Sequence, residues 1–474
     1  MRLLDLATIV RVTDGKNFSE IATEFTGIGT DTRKDMKGQL FIALKGENFD
    51  AHDFCLQAVK QGASGLLIHR LPPELNDLRN KVSVIVVKDT LKALQQISHY
   101  WRHQSKASFV AITGSNGKTT SKEFAAAVVG ASKKVHYSKG SFNNHWGVPF
   151  SIMAEPEGTE VSILEMGMNH AGEIKELCEI ADPDIVVCSV VGRAHIEHFG
   201  SIDGIAAAKE EIYASSPPRA RRIYNLDNPW TMKMFLKGRT QFPKADRLLS
   251  FSQLNPKADV FLQIEEMSMQ SLKVKGKILG IAGQAEIPVF GAHNLTNILV
   301  AASIGVAIGL EAEKVWAALP LCKTNWGRNQ ILKTKVGAQI LFDGYNANPD
   351  SMAALLDNVP LLKAKSKIGV FGEMLELGEL APQSHLELGE KAGKAGLDAI
   401  WFYGDHASDF EAGVKSSGYL KRLFITKSFD EQIGKQVAAM VTEGDVALVK
   451  GSRGMKLEKF VLLCEPLDFT LKKE

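Results

Sequence analysis

Apolar and polar residues follow one another along this chain in three blocks, and each block has the pattern of an α/β unit. In the first block, strand-like apolar runs at 39–44 and 65–68 enclose a helical segment at 54–61. A polar segment at 101–106 separates this block from the next one. We therefore expect a small N-terminal α/β domain at 1–105.

The second and third blocks both alternate short apolar runs with helical patterns. Such alternation predicts mostly parallel sheets that are covered by helices on both faces. Between about 258 and 290 the apolar period changes to two, which predicts an antiparallel edge. We expect a central domain at 106–325 and a C-terminal α/β domain at 326–474. The apolar runs lie at 109–112, 161–164, 185–188, 339–342, 368–371, 399–402 and 446–449.

Length and charge limit the classes of function. A chain of 474 residues has the length of about three domains. Its hydrophobic residues (45%) and charged residues (23%) are ordinary for globular domains with sizeable cores. Lys and Arg number 56 against 54 Asp and Glu, so the net charge of +2 indicates no broad attraction to nucleic acid or anionic lipid.

The sequence also predicts a location. Residues 1–5 carry Asp5 inside their only apolar run, which is not the pattern of a secretory signal. The longest apolar stretch, 298–310, is too short to span a bilayer. The five cysteines are scattered without a C-x-x-C pair, so we expect neither disulfides nor structural zinc. A cytoplasmic protein without membrane insertion is predicted.

The strongest local signal is the segment 113–120, Thr-Gly-Ser-Asn-Gly-Lys-Thr-Thr, between an apolar run and a helical pattern. Glycines let the backbone wrap a phosphate, and amide groups with the helix N-terminus supply partial positive charge. Ile112 stands where the strict P-loop has glycine, so this is a shortened form; a tight turn without a ligand is the alternative. The expected phosphate-binding residues are Gly114, Ser115, Asn116, Gly117, Lys118, Thr119 and Thr120, with a threonine hydroxyl on Mg²⁺.

Three more residues are candidates for the same site. Glu165 and His195 follow apolar runs, and ligands in open α/β sheets bind beyond the carboxyl ends of the strands. Together with the phosphate loop they make a hard-cation site plausible. Taken alone, each fits a polar residue at a strand end. Lys209 has the pattern of a solvated helix lysine, and most lysines are surface charges.

These residues together resemble the ATP-dependent Mur ligases of peptidoglycan synthesis, over essentially the whole chain. The phosphate loop at 113–119 and the Glu-Met-Gly at 165–167 carry the resemblance. So do the Gly-x-His-Asn-x-x-Asn at 291–297 and the Gly-Arg at 327–328. The resemblance implies a P-loop-type central sheet and a Rossmann-like C-terminal domain.

Within the family, the string Asp-Gly-Tyr-Asn-Ala-Asn-Pro-Asp-Ser-Met at 343–352 resembles the branch that adds D-alanyl-D-alanine. The branch that adds a diamino acid carries an Asp-Tyr-Ala-His string and an Asp-Asn-Pro-Arg motif, and neither occurs here. Residues 31–33, 40–46 and 50–54 resemble the domain that binds the uridine-diphosphate sugar. The substrate contacts that this implies are Asp31, Thr32, Arg33, Gly46, Asn143, Asn144 and Asn348.

The resemblance also implies roles for the candidate site residues. One Mg²⁺ would be held by Thr119 and Glu165, and a second by Glu165, His195 and a carbamylated Lys209. Asn297 would contact adenine, Arg328 the γ-phosphate, and Asp343 and Asn346 the ribose side of the nucleotide. The residues expected to act in catalysis are Lys118, Glu165, His195, Lys209 and Arg328.

The implied reaction joins D-alanyl-D-alanine to UDP-N-acetylmuramoyl-tripeptide. ATP first phosphorylates the tripeptide carboxylate, the dipeptide amine then attacks the acyl phosphate, and ADP and phosphate are released. We expect a monomer. The sequence leaves open whether the third residue of the tripeptide is meso-diaminopimelate or L-lysine.

Other interpretations stay open. A P-loop kinase or GTPase-like hydrolase would leave Glu165, His195 and the third block unused, and the chain has no Asn-Lys-x-Asp string to read guanine. A catalytically idle scaffold of the same fold disagrees with the intact Lys118, Glu165 and His195. Within the ligases, the alternatives are the diamino-acid-adding branch and a folylpolyglutamate synthase-like enzyme.

Overall fold

The computed structural model describes residues 4–19, 21, 24–46, 49–194, 196–242 and 247–471. In the N-terminal part, a five-stranded sheet is parallel except at Lys16–Asn17, which pairs antiparallel with Ser83–Val86. The sheet order continues through Gly65–Ile68, Gln39–Ile42 and Gly27–Gly29. A separate antiparallel pair joins Leu4–Asp5 to Glu24–Phe25. Helical segments are Leu6–Thr13, Ala51–Phe54 (3₁₀), Cys55–Lys60, Pro73–Leu78 (3₁₀) and Thr90–Gln104.

The central sheet has nine strands and extends to the antiparallel edge that the period of two predicted. The last two strands at this edge, Leu272–Ile278 and Ile281–Ile287, run antiparallel to their neighbours, which confirms that prediction. The other neighbouring strands pair in parallel. From that edge inward the order continues through Val260–Met267, Leu248–Ser252, Arg221–Asn225, Ile185–Cys188, Ser108–Thr113, Val161–Glu165 and Val135–Tyr137.

Helices cover both faces of the central sheet, as the alternating pattern predicted. On one face the buried side chains of Val110, Ile112 and Val187 belong to a core that the helix Asn294–Ala307 also lines. Every residue of this helix except Thr296 is buried, so it needs no polar face. Helical segments here are Lys118–Gly130, Gly147–Met153, Glu173–Ala181, Ile196–Phe199, Ile202–Ala214, Pro229–Gln241, Asn294–Ala307, Ala312–Ala318 and Leu319–Leu321 (3₁₀).

The polar segment 101–106, where the sequence predicts the end of the first block, is partly helical and partly buried. Trp101 and Arg102 are buried in the last turn of the helix Thr90–Gln104. The Arg102 guanidinium donates to the carbonyl of Ala181 at 2.9 Å and to the carboxylate of Asp184 at 2.7 Å. An arginine at this position therefore ties the first block to the second.

The C-terminal sheet has six strands, and again all but one edge strand are parallel. Gln330–Lys333 pairs antiparallel with Gln339–Asp343. The order then runs Val446–Lys450, Lys367–Gly372, Ala399–Tyr403 and Arg422–Thr426. Helical segments are Pro349–Asn358, Val359–Leu361 (3₁₀), Gly378–Leu380 (3₁₀), Ala381–Lys394, Ala407–Ser416, Glu431–Ala438, Arg453–Met455 (3₁₀) and Glu458–Leu463. Among the described residues, no helix has the length and apolar character to cross a bilayer.

Candidate active site

The phosphate-loop motif forms a turn between the strand Ser108–Thr113 and the helix Lys118–Gly130. Gly114 (φ 152°) and Gly117 (φ 76°) both have a positive φ, which glycine adopts without strain. There is also no room for a side chain, because a Cβ on Gly117 would lie 2.2 Å from Asn297 Oδ1. Lys118 Nζ donates to the carbonyl of Gly114 at 2.9 Å, across the loop. The loop thus has the backbone of a phosphate cradle.

Thr119 and Glu165 meet beneath the loop because their strand and helix ends lie at one edge of the parallel sheet. Thr119 Oγ1 donates to Glu165 Oε2 at 2.7 Å, and Asn143 Nδ2 donates to Glu165 Oε1 at 2.8 Å. The Glu165 side chain is almost fully buried. An oxygen pair of hydroxyl and carboxylate is the donor set that Mg²⁺ prefers.

Arg328 reaches this pair from the third block. Its guanidinium donates to Thr119 Oγ1 at 3.0 Å and lies over the ring of Tyr345, 4.0 Å from the centroid. The Tyr345 hydroxyl in turn lies 2.8 Å from Ser141 Oγ, on the loop that carries Asn143. The third block therefore supplies a cation within reach of the phosphate loop.

Lys122 is a residue of this network that the sequence interpretation missed. Its side chain is fully buried, with Nζ at 3.6 Å from Glu165 Oε2 and 2.5 Å from the carbonyl of Gly140, to which it donates. Burial lowers the pKa of Lys122, and the charge of Glu165 opposes this shift. The available signal was its spacing, one helical turn after Lys118 on the helix that begins at the loop.

We expect Lys122→Met to destabilise the protein by about 3 kcal/mol, because removing one partner leaves a buried carboxylate without its cation. The thermal unfolding midpoint should fall by several degrees, and ligation should weaken with it. Lys133→Met is the matched control, since Lys133 is partly exposed and pairs with Glu160 at the surface. Equal midpoints for the two variants would contradict a structural role for Lys122 beside Glu165.

Residues of the C-terminal sheet complete the cavity. Asp343 ends the strand Gln339–Asp343 and forms an ion pair with Lys450, which ends the neighbouring strand. Lys450 Nζ also donates to the carbonyl of Asn346 at 3.1 Å. Asn348 caps the helix Pro349–Asn358, and its Nδ2 donates to Asn116 Oδ1 at 2.7 Å. Lys450 is a further residue of this cavity that the sequence analysis does not predict.

The resulting cavity has a volume of about 540 Å³, within the range of small-ligand sites. One wall is the His293–Asn329 pair, with Asn329 Nδ2 at 3.0 Å from His293 Nε2. His293 Nδ1 and Asn329 Oδ1 are buried without a hydrogen-bond partner, and burial lowers the pKa of His293 to about 4. A neutral imidazole and an amide with unused polar atoms suit a ligand that resembles a nucleobase, whose ring nitrogens and amino groups form hydrogen bonds. The predicted residues that line the cavity are Ser115, Asn116, Gly117, Lys118, Thr119, Thr120, Asn143, Glu165, Asn297, Arg328, Asp343, Asn346 and Asn348.

Lys209 is buried, so its interpretation as a surface lysine is wrong. It lies in the helix Ile202–Ala214, and only 1% of the residue is exposed. Burial lowers the pKa of Lys209 to about 7, with a further contribution from the charge of Lys118. About half of a buried amine with this pKa is in its neutral, nucleophilic form at pH 7.

Some predicted residues lie elsewhere. Asp31, Thr32, Arg33 and Gly46 follow strands of the N-terminal sheet and do not line the cavity; the Arg33 guanidinium holds the pKa of Asp31 at about 2. Asn144 Oδ1 accepts from Gly147 N at 2.9 Å, where the helix Gly147–Met153 begins, and Asn144 does not line the cavity. The prediction for His195 falls outside the described residues.

A shortened phosphate loop, a buried acid beneath it and a cation from a second α/β unit define the class of an ATP-dependent ligase. Family models agree with this class along the chain. They are the Mur ligase family, catalytic domain, at residues 24–102, the Mur ligase middle domain at 112–305, and the Mur ligase, glutamate ligase domain at 327–453. The chain belongs to the Mur ligase family of ATP-dependent ligases.

Relatives whose names state an activity are similar over almost their whole length. The chain is 35% identical to the UDP-N-acetylmuramoyl-tripeptide–D-alanyl-D-alanine ligase of Bacillus subtilis, over 94% of this chain and 95% of that protein. It is 32% identical to the enzyme of the same name from Escherichia coli, over 96% of this chain and 97% of that protein. The similarity therefore includes all three predicted blocks.

Solved structures show the same architecture. MurF from Acinetobacter baumannii matches with a TM-score of 0.87 at 28% identity, covering 98% of this chain and 99% of that chain. MurF ligase from Thermotoga maritima in complex with ADP matches at 0.77 and 26% identity, covering 92% and 96%. A folylpolyglutamate synthase from Mycobacterium tuberculosis matches at 0.59 with 14% identity, which shows a shared fold alone.

Proposed function

We propose that this protein joins D-alanyl-D-alanine to UDP-N-acetylmuramoyl-tripeptide, with conversion of ATP to ADP and phosphate. The observation that carries the proposal is the cavity in which Lys118, Thr119 and Glu165 face Arg328 and Asp343 from another sheet. The relatives that match over their full length, and whose names state this reaction, support the choice of substrates.

The chemical difficulty is that a carboxylate is a poor electrophile. ATP overcomes it by transferring its γ-phosphoryl group to the tripeptide carboxylate. The dipeptide amine then attacks the acyl carbon, phosphate leaves, and the amine gives up a proton. Two anions must approach each other in the first step, so we assign Lys118 and Arg328 to the phosphate charge, with the dipole of the helix Lys118–Gly130 adding to them.

Mg²⁺ fits the residues present, because Thr119 and Glu165 offer oxygen donors 2.7 Å apart at a buried position. We propose that these two hold one ion, and that Glu165, His195 and a carbamylated Lys209 hold a second. The ions would neutralise phosphate charge. Lys209 suits carbamylation because it is buried and its pKa is low: the neutral amine bonds to the carbon of CO₂ and loses a proton, which leaves an anion.

The remaining assignments follow the position of each residue. We assign the nucleotide base to the cavity wall that holds Asn297, His293 and Asn329, and the ribose side to Asp343 and Asn346. Asp31, Thr32, Arg33 and Gly46, in the predicted domain 1–105, are proposed to contact the uridine-diphosphate sugar, with Asn143, Asn144 and Asn348 nearer the peptide. We propose that the protein acts as a cytoplasmic monomer.

A single assay tests the proposal. ADP release is measured with ATP, Mg²⁺, D-alanyl-D-alanine and each of two nucleotide-linked tripeptides, ending in meso-diaminopimelate or L-lysine. Release should require both the tripeptide and the dipeptide. ADP release from ATP with water alone would favour a hydrolase. A further reaction contains a free diamino acid and the nucleotide-linked acceptor that is one residue shorter, and ADP release there would favour the diamino-acid-adding branch. No ADP release in any reaction would favour an idle scaffold.

A closing clamp is the expected conformational step. The contacts of Arg328 with Thr119 and of Asn348 with Asn116 join the two sheets around the cavity. Only this closed state binds ATP from both sides, so ATP should favour it, and closure would keep water from the acyl phosphate. In solution scattering, we expect an ATP analogue with the tripeptide substrate to reduce the radius of gyration of the free protein.

Arg328→Ala should weaken that compaction. It should also lower turnover about a hundredfold or more, because the guanidinium no longer stabilises the negative charge on the transferred phosphoryl group. Binding of the uridine substrate should change far less, because the first block mainly holds it. Arg422→Ala is the control, since Arg422 is exposed on the edge strand Arg422–Thr426. An unchanged radius of gyration with both ligands bound would contradict the clamp, unless the free protein is shown to be closed already.

A further inference from the structure

A pair of histidines lies outside the cavity, where the first block packs on the second. The helix Thr90–Gln104 begins at Asp89, whose side chain accepts from the backbone N–H groups of Leu91 and Lys92. It carries His99 and His103 four residues apart, so both side chains project from one face. Their Nε2 atoms are 3.2 Å apart, and both residues are exposed. The pair is thus accessible to a ligand from solvent.

The imidazole ring of His99 is oriented by a contact of its other nitrogen, Nδ1. His99 Nδ1 lies 3.2 Å from the carbonyl oxygen of Ile180. A carbonyl oxygen can only accept a hydrogen bond, so Nδ1 carries the proton and Nε2 presents its lone pair to His103. A backbone carbonyl on the non-ligating nitrogen is the usual arrangement of a metal-binding histidine. His99 is therefore positioned as a ligand in the protein alone.

The separation of the two Nε2 atoms also fits a metal ion. With Zn–N bonds of about 2.0–2.1 Å and tetrahedral angles, two ligating nitrogens lie about 3.3–3.4 Å apart. The observed distance is within about 0.2 Å of this value. We propose that His99 and His103 bind a divalent transition metal, with Zn²⁺ as the representative ion and water in the remaining positions. Imidazole pairs favour Zn²⁺, Cu²⁺ or Ni²⁺ over Mg²⁺ and Ca²⁺.

The surroundings carry charges of both signs and leave room for water. Asp182 Oδ2 lies 3.9 Å from His103 Nε2, but it also accepts from Arg219 at 2.5 Å. We therefore treat Asp182 as a neighbouring charge and not as a ligand. A groove of about 440 Å³ beside the pair is lined by Glu176 and Glu179 and also by Lys92, which lies 4.0 Å from Glu176. Both ligands of the site lie on the helix Thr90–Gln104.

Another histidine cluster in the described residues is less suitable. Asp50, His52 and His69 bring possible ligand atoms within 4.8 Å of one another. However, His52 Nδ1 lies 2.7 Å from Asp50, and its Nε2 accepts from the backbone N–H of His69 at 3.0 Å. Both ring nitrogens of His52 are thus used inside the protein. This cluster serves as a comparison in the experiment.

The test is a Zn²⁺ titration of the full-length protein without nucleotide, in competition with a chromogenic chelator. The wild type should bind one more Zn²⁺ than the double variant His99→Ala/His103→Ala. Each single variant should bind Zn²⁺ at this site about tenfold more weakly or worse. Affinity should also fall as the pH is lowered, because protons compete with the metal ion for the imidazoles.

Two control variants separate this site from other histidines. His170→Ala removes an exposed histidine near His198, and His69→Ala removes one from the comparison cluster. Both control variants should bind Zn²⁺ at His99 and His103 with the affinity of the wild type. The metal-free double variant should unfold at the wild-type temperature, since both histidines are exposed. A double variant that binds Zn²⁺ with the stoichiometry and affinity of the wild type would overturn the proposal and leave the pair as a surface hydrogen bond.

Discussion

Lys118→Ala is expected to abolish detectable ligation, a loss of at least about a thousandfold, without unfolding the protein. Lys118 Nζ contacts the Gly114 carbonyl, and the side chain is only partly buried at the wall of the cavity, so its removal leaves little packing unsatisfied. Burial lowers the pKa of Lys118, while the charge of Glu165 favours the ammonium form. The phosphates of ATP would favour it further, so the lysine acts as a cation on phosphate.

The measurement is ADP release with all three substrates, beside the thermal unfolding midpoint and the affinity for the uridine substrate. Lys133→Ala is the control, because this lysine lies just beyond the same helix and pairs with Glu160 at 3.0 Å. The control should retain normal turnover. A folded Lys118→Ala protein with near-normal turnover would remove the phosphate role from the loop lysine.

Lys209→Ala should lose most activity, about a hundredfold, if the buried amine is carbamylated and supports a metal ion. Its pKa of about 7 makes the neutral amine abundant at pH 7 and above, and CO₂ reacts with that form. Below this pH the amine becomes protonated, so recovery of activity by added bicarbonate should weaken as the pH falls. Acetate should partly restore the variant by placing a carboxylate in the vacated position.

Lys237→Ala provides the matched control, since Lys237 is exposed and pairs with Glu210 next to Lys209 in sequence. It should show normal activity and no response to acetate. Mass spectrometry of native protein kept in bicarbonate should reveal a carbamate on Lys209. Full activity of Lys209→Ala, or an unmodified lysine in active protein, would contradict the metal role.

Much of the fold was predictable because its signals are local. The alternation of apolar runs and helical patterns predicted parallel sheets, and the period of two predicted the antiparallel strands Leu272–Ile278 and Ile281–Ile287. The phosphate loop was also predictable from the sequence. Its glycines at 114 and 117 have positive φ angles and close neighbours that other residues would not tolerate. Such constraints act within a few residues.

Long-range contacts were less accessible. The Arg102 guanidinium is buried against Ala181 and Asp184, some 80 residues away in sequence, and the local polar pattern does not show these partners. In the sequence, Lys122 cannot be told from a surface lysine. Only the structure shows that its ammonium group lies beside the carboxylate of Glu165 and the carbonyl of Gly140. The charge of a side chain does not show whether the fold places an ion-pair or hydrogen-bond partner beside it.

The sequence by itself determined the order of strands and helices, the phosphate loop and the resemblance to Mur ligases, because these depend on short segments and their spacing. Only the tertiary structure decided which side chains face one another: Arg328 on Thr119, Lys450 on Asp343 and Lys209 inside the core. Arg328 and Thr119 come from different domains, and Asp343 and Lys450 end neighbouring strands of one sheet, so both contacts depend on how distant parts of the chain pack. Charge and desolvation at the site follow from that packing and not from the order of residues.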